Sequence, residues 1–199
     1  NGKFPQFESF YEEYSGKIEK ETLDRTLFIK RLKIRYLTDL GAHLSPASAF
    51  NILQGIETLS LRMERHVENA QKVAEFLDSH SQVLSVSYPG LESSPYHTLA
   101  KKYFPKGAGA ILSFRVKGGL EATKAVLQKV RIFDFLANVG DAKSLIVHPA
   151  TSTHFGQLKT DQEKAGAYED ALRLSIGIED AEDLIADLRQ ALDSVGSNA

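Results

Sequence analysis

One arginine in the last third of the chain stands in an apolar setting that is unusual for a charged residue. Arg173 lies in the segment ALRLSIGIED, between Leu172 and Leu174. In an alternating strand it would point to the face opposite these leucines, where an ordinary surface arginine is the simplest interpretation. An inward-pointing arginine would need a partner. Because guanidinium is planar, forked and always charged, it can hold a carboxylate by two parallel hydrogen bonds, so Arg173 is a candidate substrate-binding residue.

A second group of polar residues occupies the segment LANVGDAKSLIVHPATSTH, residues 136–154. Asn138, Gly140 and Asp141 favour turn geometry, so local composition predicts a turn at this point. The turn leads into an apolar strand and then into a loop rich in hydroxyl and imidazole groups, among them Thr153. Polar loops at strand ends are where binding groups concentrate. The residues alone leave both interpretations open, an ordinary turn and a ligand site.

The histidines and the arginine cluster of the chain favour structural roles. His148 and His154 lack an Asp, Glu or Cys at the spacing of a metal site, so no metal centre is predicted. The segment RMERHVE, residues 62–68, can pair its own charges at helical spacing. We expect its Arg62, Arg65 and His66 to form a solvated or domain-linking charged face.

The first part of the sequence predicts mainly helices. Residues 1–21 show no clean period and are predicted to have no regular structure. Apolar residues recur at helical intervals over residues 22–42 and predict an amphipathic helix. Residues 45–80 predict a long interdomain helix, which could bend at Gly55 or at residues 58–60. We therefore expect residues 1–60 and 61–199 to belong to two domains joined by this helix.

The remainder predicts an α/β domain. Short β-branched or alternating segments, typical of strands, are VLSVSYPG, GAILSFRV, SLIVH and ALRLSIGI, with a possible fifth strand near residues 132–136. Segments with helical spacing are SPYHTLAKKYF, GLEATKAVLQKV and DAEDLIADLRQAL, the last of them capped by Asp180. This order predicts a small mixed or antiparallel sheet with helices on one face.

Composition limits the class of protein. Hydrophobic residues make up 42% and charged residues 25% of the 199 residues, which is typical of globular proteins. A formal net charge of -2 disfavours nucleic-acid and membrane partners. There is no cysteine and no apolar run of the ~20 residues that a membrane helix needs, and the opening NGKFPQFESF has no basic start followed by an apolar core, so we expect a cytoplasmic protein. Because the chain begins at Asn1 and not at Met, we also expect it to start inside a longer polypeptide.

Four long segments together resemble a known enzyme family. They are LSPASAFNILQGIETLSLRMERHVENAQKVAEFL, SYPGLESSPYHTLAKKYFPKGAGAILSF, LANVGDAKSLIVHPATSTH and LRLSIGIEDAEDLIADLRQAL. Their order and spacing are similar to those in the C-terminal part of the pyridoxal-phosphate (PLP) enzymes of cysteine and methionine metabolism. The resemblance covers roughly residues 30–193 and implies the aspartate-aminotransferase-like fold, fold type I. It implies that residues 1–60 are the end of a large cofactor-binding domain with the linking helix, and that residues 61–199 are the C-terminal domain that binds the substrate carboxylate.

The resemblance also implies an activity and site residues. Asn138, followed by VGDAKSL, looks like the O-acetylhomoserine sulfhydrylase branch, whereas related synthases and lyases usually have Ser there. The implied reaction replaces the acetate of O-acetyl-L-homoserine by sulfide and gives L-homocysteine for methionine biosynthesis. By resemblance, Arg173 binds the α-carboxylate of the amino-acid substrate, and Asn138 and Thr153 lie beside it. A cytoplasmic homotetramer is expected by the same analogy.

The cofactor-bearing part of the family pattern is not found in these residues. The family's Schiff-base lysine follows Ser or Thr and precedes a Gly- and His-rich turn, but the pair Thr123-Lys124 lies inside a predicted helix. We therefore interpret Lys124 as a surface lysine and expect PLP to be bound mainly by an upstream segment of the same polypeptide. Two alternatives stay open: a cystathionine γ-synthase, cystathionine γ-lyase or methionine γ-lyase, and a non-catalytic interaction module.

Overall fold

The computed structural model describes residues 4–196, and the chain divides into two compact units, Asn1–Glu57 and Thr58–Ala199. The first unit contains helices α1 (Pro5–Tyr14), α2 (Lys20–Arg31) and α3 (Pro46–Glu57), and α2 continues into a π-helical segment, Leu32–Thr38. The roles predicted for residues 1–60 and 61–199 stay predictions.

Helix α1 corrects the expectation that residues 1–21 have no regular structure; residues 1–3 of that range lie outside the described residues. Pro5 opens the helix at a position that tolerates proline. Phe7, Phe10 and Tyr14 then follow at helical spacing, and Phe10 is buried together with Leu23 of α2. This aromatic stripe is short and lies among Gly and Pro residues. For this reason the sequence pattern did not predict the helix.

The predicted long helix is interrupted at one of the two positions where the sequence allows a bend. Helix α3 ends at Glu57 and α4 spans Leu59–Ser79. Thr58 between them has φ -104° and ψ 4°, outside the helical range. At the start of α3, the hydroxyl of Ser45 accepts the backbone N–H of Ser48 at 3.1 Å, as expected for an N-cap.

The second unit is built on a five-stranded mixed sheet, which confirms all the predicted strands. The strands are β1 (Val83–Ser87), β2 (Ile111–Val116), β3 (Asp134–Phe135), β4 (Leu145–Val147) and β5 (Ala171–Ser175). Their order across the sheet is β1-β2-β5-β4-β3. Neighbours are antiparallel except β3 and β4, which are parallel. Strand β5 therefore lies at the centre of the sheet.

Helices α4, α6 (Gly119–Lys129) and α8 (Ala181–Gly196) cover one face of the sheet, as predicted. The second unit also contains α5 (His97–Tyr103) and α7 (Lys159–Lys164). The core joins α4, α6 and α8 to every second residue of β2 and to the leucines of β5: Val73, Leu77, Leu112, Phe114, Val126, Leu172, Leu174, Leu184 and Leu188. Sequence patterns missed α7 and a 3-10 turn at Pro149–Thr151, because both are too short to show a period.

None of the helices within residues 4–196 is both long enough and apolar enough to cross a membrane.

Candidate substrate-carboxylate site

Arg173 lies in the middle of the central strand, on the sheet face that the core helices leave uncovered. Its neighbours Leu172 and Leu174 are fully buried in the core, so the alternation of the strand turns Arg173 to the opposite face. This confirms the orientation predicted from the sequence. Its register partners are Ser113 on β2 and Val147 on β4, and neither carries a charge.

The Arg173 side chain has no partner for its charge among residues 4–196. It is half-buried, and its Nε is shielded from solvent without a hydrogen bond. Within residues 4–196, no ion pair or hydrogen bond reaches its guanidinium. A buried donor without an acceptor costs about 1–3 kcal/mol. The fork is therefore available to an acceptor that comes from outside these residues.

A second arginine on the same sheet face gives a useful contrast. Arg115 of β2 binds the carboxylate of Asp170 through Nε and Nη2, both at 2.8 Å, and its guanidinium lies 4.4 Å from the Tyr168 ring centre. The hydrogen bond to Asp170 raises the pKa of Arg115 above its ordinary value. Arg115 and Tyr168 line a cavity of about 230 Å³ with Ser113. The fork of Arg115 is already occupied by a carboxylate, whereas that of Arg173 is open.

Asn138 lies in an exposed turn after β3. Its Oδ1 accepts the N–H of Val139 at 2.9 Å, and its Nδ2 donates to Asp141 at 3.4 Å. Gly140 has φ 77°, a left-handed conformation that suits glycine. The predicted turn is therefore confirmed, and it presents the backbone and side chain of Asn138 at the surface of this unit.

Thr153 lies in the exposed turn that follows β4, and its hydroxyl shares a hydrogen bond of 2.9 Å with Nδ1 of His154. Among the contacts made by the described part of the chain, none joins the side chains of Arg173, Asn138 and Thr153. That these three residues act on one substrate stays a prediction.

His148 stabilises the turn that carries Thr153. It is buried, its Nε2 donates to the carbonyl of Glu169 at 3.0 Å, and its Nδ1 meets the hydroxyl of Thr151 at 2.7 Å. The hydroxyl of Ser152 donates back to the carbonyl of His148 at 2.6 Å. Both ring nitrogens are thus used by the protein, and nowhere in residues 4–196 do three potential metal ligands come together.

The sequence did not reveal a polar contact between the end of β5 and the start of β4. The Glu179 carboxylate accepts the N–H of Ser144 at 2.7 Å and its hydroxyl proton at 2.9 Å, and the same hydroxyl accepts the N–H of Gly177 at 2.8 Å. A Cβ at position 177 would lie less than 3.0 Å from the Glu179 carboxylate and from the Ala142 carbonyl. The available signal was Gly177, which lies two residues before the acidic pair Glu179-Asp180 in the segment ALRLSIGIED.

The expected charged face on α4 is wrong for His66. Its side chain is buried, and its Nδ1 donates to the carbonyl of Ile176 at 2.6 Å. Asn69, one turn later and also buried, donates to the carbonyls of Gly177 at 3.1 Å and Glu179 at 2.8 Å. His66 shares a helical stripe with Ala70 and core residues further along α4, so periodicity could have placed it inward.

The lysines of the second unit lie at its surface. Every lysine within residues 58–196 is exposed. Lys124 lies on α6 and forms an ion pair with Glu121 at 2.8 Å, which confirms that it is a surface lysine. That the Schiff-base lysine lies outside these residues stays a prediction.

The likeness of this fold to solved structures defines a class of protein, the fold-type I PLP enzymes. Within this class, the model of the "Cys/Met metabolism PLP-dependent enzyme" family matches residues 16–193. The chain belongs to this family of enzymes.

Curated relatives include enzymes of homocysteine formation. The chain is 44% identical over 191 residues to the homocysteine synthase of Schizosaccharomyces pombe, covering 96% of the chain and 44% of that relative. It is 43% identical over 205 residues to the O-acetyl-L-homoserine sulfhydrylase of Leptospira meyeri, covering 98% of the chain and 46% of that relative. The chain thus spans less than half the length of these relatives.

The chain is also similar to a solved structure and to a relative with a different named activity. A candidate O-acetylhomoserine (thiol)-lyase of Campylobacter jejuni, which contains a pyridoxyl-lysine phosphate, matches with a TM-score of 0.81 and 47% identity over 88% of this chain and 42% of that one. An L-methionine γ-lyase of Treponema denticola is 45% identical over 177 residues, 89% of this chain and 43% of that relative. The chain is thus about as similar to this γ-lyase as to the sulfhydrylase, so sequence identity does not distinguish between the two kinds of enzyme.

Proposed function

We propose that these residues form the carboxylate-binding part of an O-acetyl-L-homoserine sulfhydrylase, which replaces the acetate at Cγ by sulfide and releases L-homocysteine. The relatives named for homocysteine synthesis support this reaction. The segment NVGDAKSL at residues 138–145, with Asn at its first position, favours this branch of the family. The whole enzyme is proposed to act in the cytoplasm as a homo-oligomer and to bind PLP mainly through residues beyond this chain.

The observation that carries the proposal is the unpaired fork of Arg173. An α-carboxylate would supply the acceptor that Nε lacks, and a two-pronged contact would fix both the position and the orientation of the amino acid. PLP, when bound, withdraws electrons from the substrate α-carbon. The contribution of Arg173 is to hold the amino acid so that the bond to be broken is correctly oriented, which is a positioning effect.

A γ-lyase or a cystathionine synthase would use the same arginine and the same cofactor. The similarity to the methionine γ-lyase keeps elimination as the second candidate, and Asn138 argues for replacement. An interaction module without activity is the alternative from another class.

The test uses the full-length polypeptide loaded with PLP. O-acetyl-L-homoserine is supplied with sulfide, with cysteine, or with no nucleophile, and L-methionine is supplied alone. Homocysteine formation that depends on sulfide is the expected result. Cystathionine formed faster from cysteine, or thiol release from methionine, would assign the chain to the synthase or lyase branch. A loaded protein that turns over none of these would favour the interaction module.

A further inference from the structure

A partly buried hydrogen-bond network connects the strand of Arg173 to the turn of Asn138. We call Ser144, Gly177 and Glu179, with their three mutual hydrogen bonds, the Glu179 clamp. Ser144 is fully buried and immediately precedes β4, whereas Gly177 comes four residues after Arg173. The Glu179 clamp therefore joins the two chain segments that carry the candidate site.

Glu179 is held in place from the opposite side by α4. The side chain of Asn69 donates to the backbone carbonyl of Glu179, and His66 and Asn69 bind the carbonyls of Ile176 and Gly177. Because its backbone is fixed to a helix of the core, the Glu179 carboxylate is a rigid point of attachment. A group held in this way can fix the position of whatever binds to it.

The turn that carries Asn138 depends on this attachment. The Ile178 N–H donates to the carbonyl of Ala142 at 2.9 Å, next to the clamped Ser144. Asp141 accepts the N–H of Lys143 at 3.1 Å and receives the weak bond from Asn138. Asn138 is thus connected through Asp141 and Lys143 to Ser144. Because Gly177 has no side chain, the two segments can lie in this close contact, which leaves no space for a Cβ.

We propose that Glu179 is a positioning residue for the amino-acid carboxylate, since its side chain fixes the turn of Asn138 at a set distance from Arg173. This inference rests on the proposed carboxylate-binding role of Arg173. It extends that role to a residue that touches no substrate and acts through Ser144. Removing the negative charge of Glu179 should therefore affect ligands that have a carboxylate and spare those that lack one.

The test compares two ligands on the full-length, PLP-loaded enzyme. L-homoserine and 3-aminopropan-1-ol have the same amine and hydroxyl groups at the same spacing, but only L-homoserine has a carboxylate. The ratio of their dissociation constants, measured by calorimetry, is the carboxylate preference. Glu179→Gln should reduce this preference by roughly tenfold or more, since small misplacements of a binding group are costly. The matched control is Glu182→Gln, an exposed glutamate in the first turn of α8, which should leave the preference unchanged.

Hydrogen exchange provides a readout besides ligand binding. In Glu179→Gln, exchange of the amides in residues 138–144 should increase while that of α4 and α8 does not change. An unchanged preference in Glu179→Gln, or an equal loss of affinity for both ligands, would overturn the positioning role. If this variant does not fold, Ser144→Ala is judged by the same ratio. A wild-type enzyme with no preference for the carboxylate would instead refute the proposed function itself.

Discussion

Replacing Arg173 by alanine gives the most informative perturbation of the candidate site. A two-pronged contact with a carboxylate consists of two charge-assisted hydrogen bonds, each contributing about 1.5–3 kcal/mol. Loss of both costs about 3–6 kcal/mol. Because ~1.4 kcal/mol corresponds to a factor of ten in a binding constant, Arg173→Ala should weaken substrate binding by roughly 10²–10⁴-fold. The shielded Nε supports the upper part of this range, since water cannot easily replace the lost contact.

The assay is steady-state kinetics of the full-length enzyme with O-acetyl-L-homoserine and sulfide. The absorbance of the bound cofactor is recorded in parallel, because the variant should retain PLP. Arg173→Lys should recover little of the loss, since an ammonium group cannot form the two parallel hydrogen bonds that a guanidinium forms with a carboxylate. Arg115→Ala is the matched control: Arg115 lies on the same sheet face, but its guanidinium is already occupied by Asp170, so its loss should change KM only slightly.

A KM near that of the wild type in a folded, PLP-containing Arg173→Ala enzyme would refute this reasoning. An equal loss in Arg173→Ala and Arg115→Ala would point to damage of the sheet and not of a binding site.

Three further predictions concern the fold of the second unit. Gly177→Ala should destabilise the full-length enzyme by about 1–3 kcal/mol, because the new Cβ meets the Glu179 carboxylate, and a lower midpoint of urea unfolding would show it. Burial raises the pKa of Tyr88 to about 12. Since an unfolded tyrosine ionises near pH 10, the stability contributed by Tyr88 is complete below pH 10 and is lost as the pH rises toward 12. In thermal melts over this pH range, the melting temperature of Tyr88→Phe should therefore fall less than that of the wild type. Leu174→Ala removes a fully buried side chain and should cost about 2–5 kcal/mol in the same unfolding measurement, and a loss below about 1 kcal/mol would contradict the assigned core.

Local patterns were sufficient where one residue's position depends on its near neighbours. The alternation around Arg173 predicted its face correctly, because a strand turns successive side chains to opposite sides. The five strands and the N-caps at Ser45 and Asp180 were also readable, since each depends on a few adjacent residues; the carboxylate of Asp180 accepts the N–H of Glu182 at 2.9 Å.

Long-range contacts were not readable in the same way. His66 binds the carbonyl of Ile176, 110 residues away, and the Glu179 clamp joins Ser144 to residues 33 and 35 positions later. The periodicity of the sequence cannot predict these hydrogen bonds, because they depend on how the strands and α4 are arranged in space. For the same reason the sequence could name Arg173 as a candidate but could not predict that its Nε lacks a partner.

The central claim is that Arg173 binds the α-carboxylate of an amino acid. A crystal structure of the full-length enzyme with bound L-homoserine tests this claim most directly. The expected result is two guanidinium nitrogens of Arg173 within about 2.7–2.9 Å of the two carboxylate oxygens. A well-ordered ligand whose carboxylate is bound by another cation, with Arg173 left unpaired, would contradict the account.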